Sequence, residues 1–139
     1  MEQTSNELLL KDLCSRLPYG VKVQMSDGAI EELLNVNVSN GTFICNGLKG
    51  LPKPYLFPLS SMTEEQFHEL KEITDFKYNR NNLELVEWTK THKTIEFWLE
   101  EVPQYKVVEV FDWLNKNHFD YRCLIERGLA IDATGKGVY

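Results

Sequence analysis

The chain has 139 residues, 42% hydrophobic and 26% charged, an ordinary globular composition long enough to bury about two-thirds of its extended surface. Its formal charge of −6 argues against the dense Lys/Arg surface on which generic nucleic-acid binding depends, and no stretch approaches the ~18 apolar residues that span a bilayer. The opening residues have neither a basic segment nor an apolar run of the secretory kind, so the expectation is a single domain, residues 1–139, in the cytoplasm.

Ser5 to Arg16 predicts a helix, capped by Ser5 or Asn6, with Leu9, Leu10, Leu13, Cys14 and Leu17 along one stripe and Leu17-Pro18 as its end. After Tyr19-Gly20, the alternation of Val21, Val23 and Met25 predicts a strand. Ser26-Asp27-Gly28 is a turn signal of the primed kind, leading into a second strand from about Ile30 to Val38 in which Leu34, Val36 and Val38 share a face. Asn40-Gly41 predicts a two-residue primed turn into a third strand, Thr42 to Cys45, with Val38 across from Phe43. Together these give a helix followed by a three-stranded antiparallel meander.

From Gly47 to Pro58, two glycines and three prolines argue against regular structure, while Leu51, Tyr55, Leu56 and Phe57 are too apolar for a free linker. The reading is an extended segment lying on the domain with its aromatics tucked in. Thr63-Glu64-Glu65-Gln66 is a capping box that opens a helix to about Ile73, with Phe67, Leu70 and Ile73 as its stripe. Asp75 to Asn82 reads as a short strand or a loop, and Leu83 to Thr89 with Thr94 to Leu99 as a second hairpin. A closing helix starts near Tyr105, with Val107, Val108, Phe111, Leu114 and His118 on one face. Gly128 closes a further short helix, and residues 133–139 read as a frayed tail. The fold class expected is α+β: an N-terminal helix, the meander, a central helix, a second hairpin, and two C-terminal helices packed on the sheet.

Cys14, Cys45 and Cys123 form no close pair and read as reduced thiols, and His68, His92 and His118 have no metal-ligand spacing, so neither metal nor cofactor is expected. His118, Asp120 and Arg122 could form an acid–base cluster. A helix–helix corner accounts for the same residues without chemistry: His118 caps one helix, Asp120 the next, and Arg122 pairs with Glu126. Trp98 lies on the polar face of its strand and Trp113 on the weaker side of its helix; with Tyr55 and Tyr121 they are the candidates for contact with a partner or ligand. Ser60-Ser61 and Thr63 sit at a helix start, where capping explains them better than anion binding.

Three segments carry a resemblance. Leu13-Cys14-Ser15-Arg16-Leu17-Pro18-Tyr19-Gly20-Val21-Lys22, then Lys53-Pro54-Tyr55-Leu56 with Pro58 to Glu65, then Asp112-Trp113-Leu114 with His118 to Arg122 and Leu124 to Ala130, occur in that order. They resemble a family of small uncharacterised proteins from gut Bacteroidales and their phages or prophages. Phe57 stands where that pattern has arginine and Cys123 where it has glycine, and the region between Phe76 and Val102 matches nothing in it. The resemblance implies a mobile-element protein in the host cytoplasm. The function expected is a non-catalytic accessory protein that binds a host or phage protein. Its alternatives are a small-molecule or nucleotide binder using a crevice between residues 51–58 and the C-terminal helices, and a small hydrolase-type enzyme using His118, Asp120 and Arg122.

Overall fold

The computed structural model describes residues 4–74 and 107–139, and in it helix and sheet are mixed, as an α+β fold requires. Helix α1 (Ser5–Arg16) forms as expected, but its cap is Thr4, whose Oγ1 accepts a hydrogen bond from the Glu7 N–H at 3.1 Å. Leu9 and Leu13 are buried and Leu10 is half-buried, whereas Cys14 faces solvent. The buried side of the helix also carries Asp12 and Arg16, both fully enclosed, with Arg16 Nε donating to Asp12 Oδ2 at 2.9 Å. Pro18 does not push Leu17 out of helical backbone; the helix tightens into a 3₁₀ turn, Leu17–Tyr19, and Gly20 at φ +70° releases the chain. A proline in a first turn removes only a donor that such a turn leaves unbonded.

Strand β1 (Lys22–Gln24) follows, with Val21, Val23 and Met25 buried as their alternation predicted. It pairs antiparallel with β2 (Ile30–Glu32), Val23 opposite Glu31. The loop between them is not a two-residue primed turn. Gly28 N–H donates to Met25 O, Met25 N–H donates to Ala29 O, and only Gly28 (φ +88°) takes positive φ, which is a three-residue loop closed by a glycine bulge.

The expected strand from Ile30 to Val38 is two strands. Leu33 is buried, its N–H bonded to Val21 O, and Leu34 then turns outward. β3 (Val36–Ser39), β4 (Thr42–Cys45) and β5 (Leu48–Lys49) form their own antiparallel meander, so the three-stranded unit lies later in the chain than expected and excludes β1. Asn40 (φ +51°) and Gly41 (φ +77°) make the predicted primed turn, with Ser39 opposite Thr42 and Val38 opposite Phe43.

Regular structure returns in the Pro-rich segment as β6 (Lys53–Pro58). Lys53 and Pro54 pair with β1, and Tyr55 and Leu56 run parallel to β8 (Ile131–Asp132). Proline φ suits an extended strand, and each register is two residues long, so a missing donor costs little ladder. Leu124 to Gly128 is a single turn rather than a second C-terminal helix. Leu129 N–H bonds to Leu124 O and Gly128 N–H to Ile125 O, with Gly128 at φ +74°: the glycine-terminated ending expected there, without the helix before it.

The tail is not frayed. Ala133 is buried and its N–H donates to Leu56 O, and the Tyr139 hydroxyl donates to Tyr55 O at 2.7 Å and accepts from Lys22 N–H at 2.9 Å. These elements belong to one compact unit, Met1–Leu56 with Leu124–Tyr139. Its core joins Leu9, Leu13, Val21, Val23, Leu33, Cys45, Leu56 and Leu124.

The second unit is Phe57–Cys123. The capping box is as predicted: Gln66 N–H donates to Thr63 Oγ1 (3.1 Å) and Thr63 N–H to Gln66 Oε1 (2.9 Å), opening α2 (Glu64–Thr74). α3 (Val107–Lys116) packs on α2, and β7 (Phe119–Asp120) runs parallel to Phe57 and Pro58. The core here is Leu59, Met62, Leu70, Val110, Trp113, Leu114, Phe119 and Tyr121. The expected second hairpin, the Asp75 to Asn82 stretch and Trp98 lie outside the described residues. Among the described residues no helix is long and apolar enough to cross a membrane.

Removal of the Tyr139 hydroxyl from water pushes its pKa up from 10 to about 12, against the opposing pull of the Lys22 N–H and the Arg16 guanidinium; the Asp12 carboxylate adds to the rise. The folded state therefore favours the neutral phenol. That contribution is whole below pH 10 and lost as pH rises through about 12. Tyr139→Phe is expected to lower the melting temperature at neutral pH and to flatten its fall between these values, measured as a wild-type minus variant difference.

Candidate protein-binding surface

The hairpin β3–β4 is built by local rules. Its Asn-Gly turn sets the register, and the register puts Val36 opposite Cys45 and Val38 opposite Phe43 on one face. Asn37 opposite Ile44 and Ser39 opposite Thr42 make the other face mostly polar. The apolar face begins in the core, where Cys45 is buried and Val36 and Leu48 pack against the cluster of the first unit. Toward the turn it runs out past that core: Phe43 is half-buried and Val38 is 54% exposed. Leu34, at the entry to β3, is 67% exposed, and Ile30 on β2 is 53% exposed. Three large apolar side chains within nine residues thus face solvent.

Asn46 holds this arrangement in place. It sits at φ +50° with Gly47 at +85°, a second Asn-Gly turn that joins β4 to β5. Its Oδ1 accepts from the N–H groups of Leu34 (2.7 Å) and Asn35 (3.2 Å), and its Nδ2 donates to Glu32 O at 2.8 Å. Its own N–H donates to Asn35 Oδ1 at 3.2 Å. One side-chain amide therefore satisfies the backbone at the kink between β2 and β3, which is what lets Leu34 point outward.

The same stretch has a chemical peculiarity. From Leu33 to Leu48, sixteen consecutive residues carry no charge, in a chain that is 26% charged. Alternation alone put Leu34, Val36 and Val38 on one face of a single strand and did not say which of them would meet solvent. The uncharged run, with two Asn-Gly turns inside it, was the signal available for a surface of a different kind.

The residues singled out from the sequence fall elsewhere. Trp113, expected to be exposed, is 4% exposed; its ring stacks on Phe119 with centroids 5.6 Å apart, and its Nε1–H donates to Glu69 Oε1 at 3.0 Å. Tyr121 is buried, its hydroxyl donating to Asn115 Oδ1 at 2.8 Å and its ring meeting Phe111 edge-on. Tyr55 is buried in the other unit. Pro52, Pro54, Tyr55 and Leu56 are all buried, so the residues expected to line a ligand crevice serve the core, and the second C-terminal helix expected across from them is not formed.

The proposed acid–base corner is backbone-led. His118 takes φ +62° at the end of α3, its N–H donating to Asn115 O at 3.2 Å and its carbonyl accepting from Phe57 N–H at 2.8 Å. Asp120 is not a helix cap but a buried strand residue, whose Oδ1 accepts from Arg122 N–H at 3.3 Å. The Arg122 guanidinium lies 4.6 Å above the Tyr121 ring. Among the described residues no group of three or more His, Cys, Asp or Glu could hold a metal ion. Burial and the nearby Cys14 sulfur raise the Cys45 pKa, which makes that thiol a poor nucleophile.

No family model, curated protein or solved structure matches this chain.

Asn46→Ala should cost about 1–3 kcal/mol, because it strips partners from three backbone groups at once. Hydrogen exchange would show Leu34 and Asn35 amides losing protection ahead of the β1 amides. Trp113→Ala should cost about 3–5 kcal/mol in a denaturant titration, as a core aromatic does and a rim aromatic does not.

Proposed function

We propose that this chain is a non-catalytic protein-binding domain whose contact surface is the overhanging apolar face of the β3–β4 hairpin. The observation that carries the reading is Val38: it is 54% exposed although its strand neighbour Val36 packs on the core and its whole face is apolar. An apolar face that continues past its own core presents surface whose removal from water by a partner is favourable. The Asn46 amide and the two Asn-Gly turns fix the geometry beforehand, so a partner would bind without ordering the hairpin first. The resemblance to proteins of Bacteroidales phages and prophages supports the reading that the partner is a host or phage protein, met in the host cytoplasm.

The test is affinity capture from infected or lysogenic cells with the wild type and with Val38→Asp. Val38 is exposed, so the variant should melt within a few degrees of wild type. A protein retained stoichiometrically by wild type and lost at least tenfold by the variant is the expected result. Equal retention by both would remove this surface as the binding site.

A further inference from the structure

The edge of the hairpin carries a separate message from its face. β3 is the outer strand of β3–β4–β5, and among the described residues no strand lies on its other side. The two-residue loop makes Ser39–Thr42 a hydrogen-bonded pair, and alternation makes Asn37–Ile44 the next. The N–H and C=O groups of Val36 and Val38 therefore point away from β4. Edge strands in isolated proteins are normally blunted by a charge, a proline or a bulge. β3 has none of these: it is regular, and the uncharged run from Leu33 to Leu48 contains no proline.

We infer that β3 pairs with β3 of a second copy of this chain, antiparallel about a two-fold axis through Asn37. That register is self-complementary in every respect the strand offers. Val36 faces Val38 of the other copy as a hydrogen-bonded pair, so the outward donors and acceptors of both residues are satisfied reciprocally. Asn37 faces its own equivalent as the close, non-hydrogen-bonded pair, amide against amide on the polar side. The axis falls on a single residue, so side chains of like parity meet and the apolar faces of the two hairpins join into one surface across six strands. Charge favours a second copy at this edge over another region of the chain. Two chains of −6 repel each other, and the uncharged run is where they can approach with no like charges in contact. This inference is independent of which protein covers the joined face.

Sedimentation equilibrium from low micromolar to several hundred micromolar protein should show the mass rising from one chain to two, and more readily in high salt, which screens the net charge. Val38→Pro removes an outward donor and no β3–β4 ladder bond. It should remain one chain at all concentrations, with circular dichroism reporting that it is folded. The register is tested in a Cys14→Ser background. Asn37→Cys places two thiols about 4.5 Å apart at Cα, within disulfide range, so diamide should convert it rapidly to a covalent dimer, while Thr42→Cys on the neighbouring strand should not cross-link. A single-chain mass at every concentration overturns the inference. So does a dimer that survives Val38→Pro, or one in which Asn37→Cys cross-links no faster than Thr42→Cys. Capture of another protein by a monomeric chain would leave the binding surface standing and end the pairing.

Discussion

A carboxylate and a guanidinium taken wholly out of water are the most demanding groups in the first unit. Asp12 and Arg16 lie one helical turn apart on α1 with no exposed surface, joined at 2.9 Å. Desolvation costs several kcal/mol per ion, and the attraction between them offsets that only while the geometry holds and water stays out. Removing one partner alone would strand the other charge. The elements around the pair are accordingly tied down by directional bonds rather than by packing alone. The Tyr139 hydroxyl sits within electrostatic reach of both charges and bridges β1 to β6 through Lys22 N–H and Tyr55 O. The last residue is held beside the pair by those two bonds, and Ala133 N–H adds a third from the same segment to Leu56 O.

Asparagine does in this chain much of what backbone pairing does elsewhere. At Asn40 it supplies the positive φ of a hairpin turn, where a branched residue would be strained. At Asn46 it supplies the same φ and, through its amide, three bonds to the backbone of Glu32, Leu34 and Asn35. The kink at Leu34 is then no defect in a long strand. It is a junction with its hydrogen bonds made, and it separates β2, which pairs with β1, from β3, which belongs to a different meander. His118 at the end of α3 is a harsher case, a bulky residue at φ +62° in a position glycine usually occupies. The bonds of its backbone to Asn115 and Phe57 help hold it there.

What the sequence made legible was whatever short-range chemistry determines. The capping box at Thr63 and Gln66, the Asn40-Gly41 turn with Val38 across from Phe43, and the buried alternation of Val21, Val23 and Met25 all came from residues fewer than six positions apart. The failures share a cause in distant partners. Ile30 to Val38 alternates as one strand, and nothing in that stretch announces that Asn46 will break it. The prolines of β6 suggest irregularity until β1 and β8 are known to use only two residues each. Asp120 has the composition of a helix cap, yet parallel pairing of Phe119 with Phe57 draws it into a strand. Trp113 sits beside Asp112 and looks half-polar, but Phe119 and Glu69 give its ring and its N–H partners that helical periodicity cannot foresee. The exposure of Leu34 and Val38 could not be read from that alternation, although the absence of charge around them was visible throughout.

The contrast between near and distant pairing has a kinetic side. The β3–β4–β5 meander closes through two tight turns, and every contact in its ladders lies within a short stretch of chain. It can form on the microsecond scale of a hairpin, before the rest of the first unit has found itself. β6 pairs with β1 nearer by, but its register with β8, where Tyr55 meets Ile131, joins residues far apart in the chain. The meander's inner end, at Val36, Cys45 and Leu48, is covered by residues distant in sequence such as Leu9 and Leu124, whereas its outer end at Val38 stays bare. By topology the local ladder of the meander is the fast-forming part of the first unit, and the β6–β8 pairing the slow one.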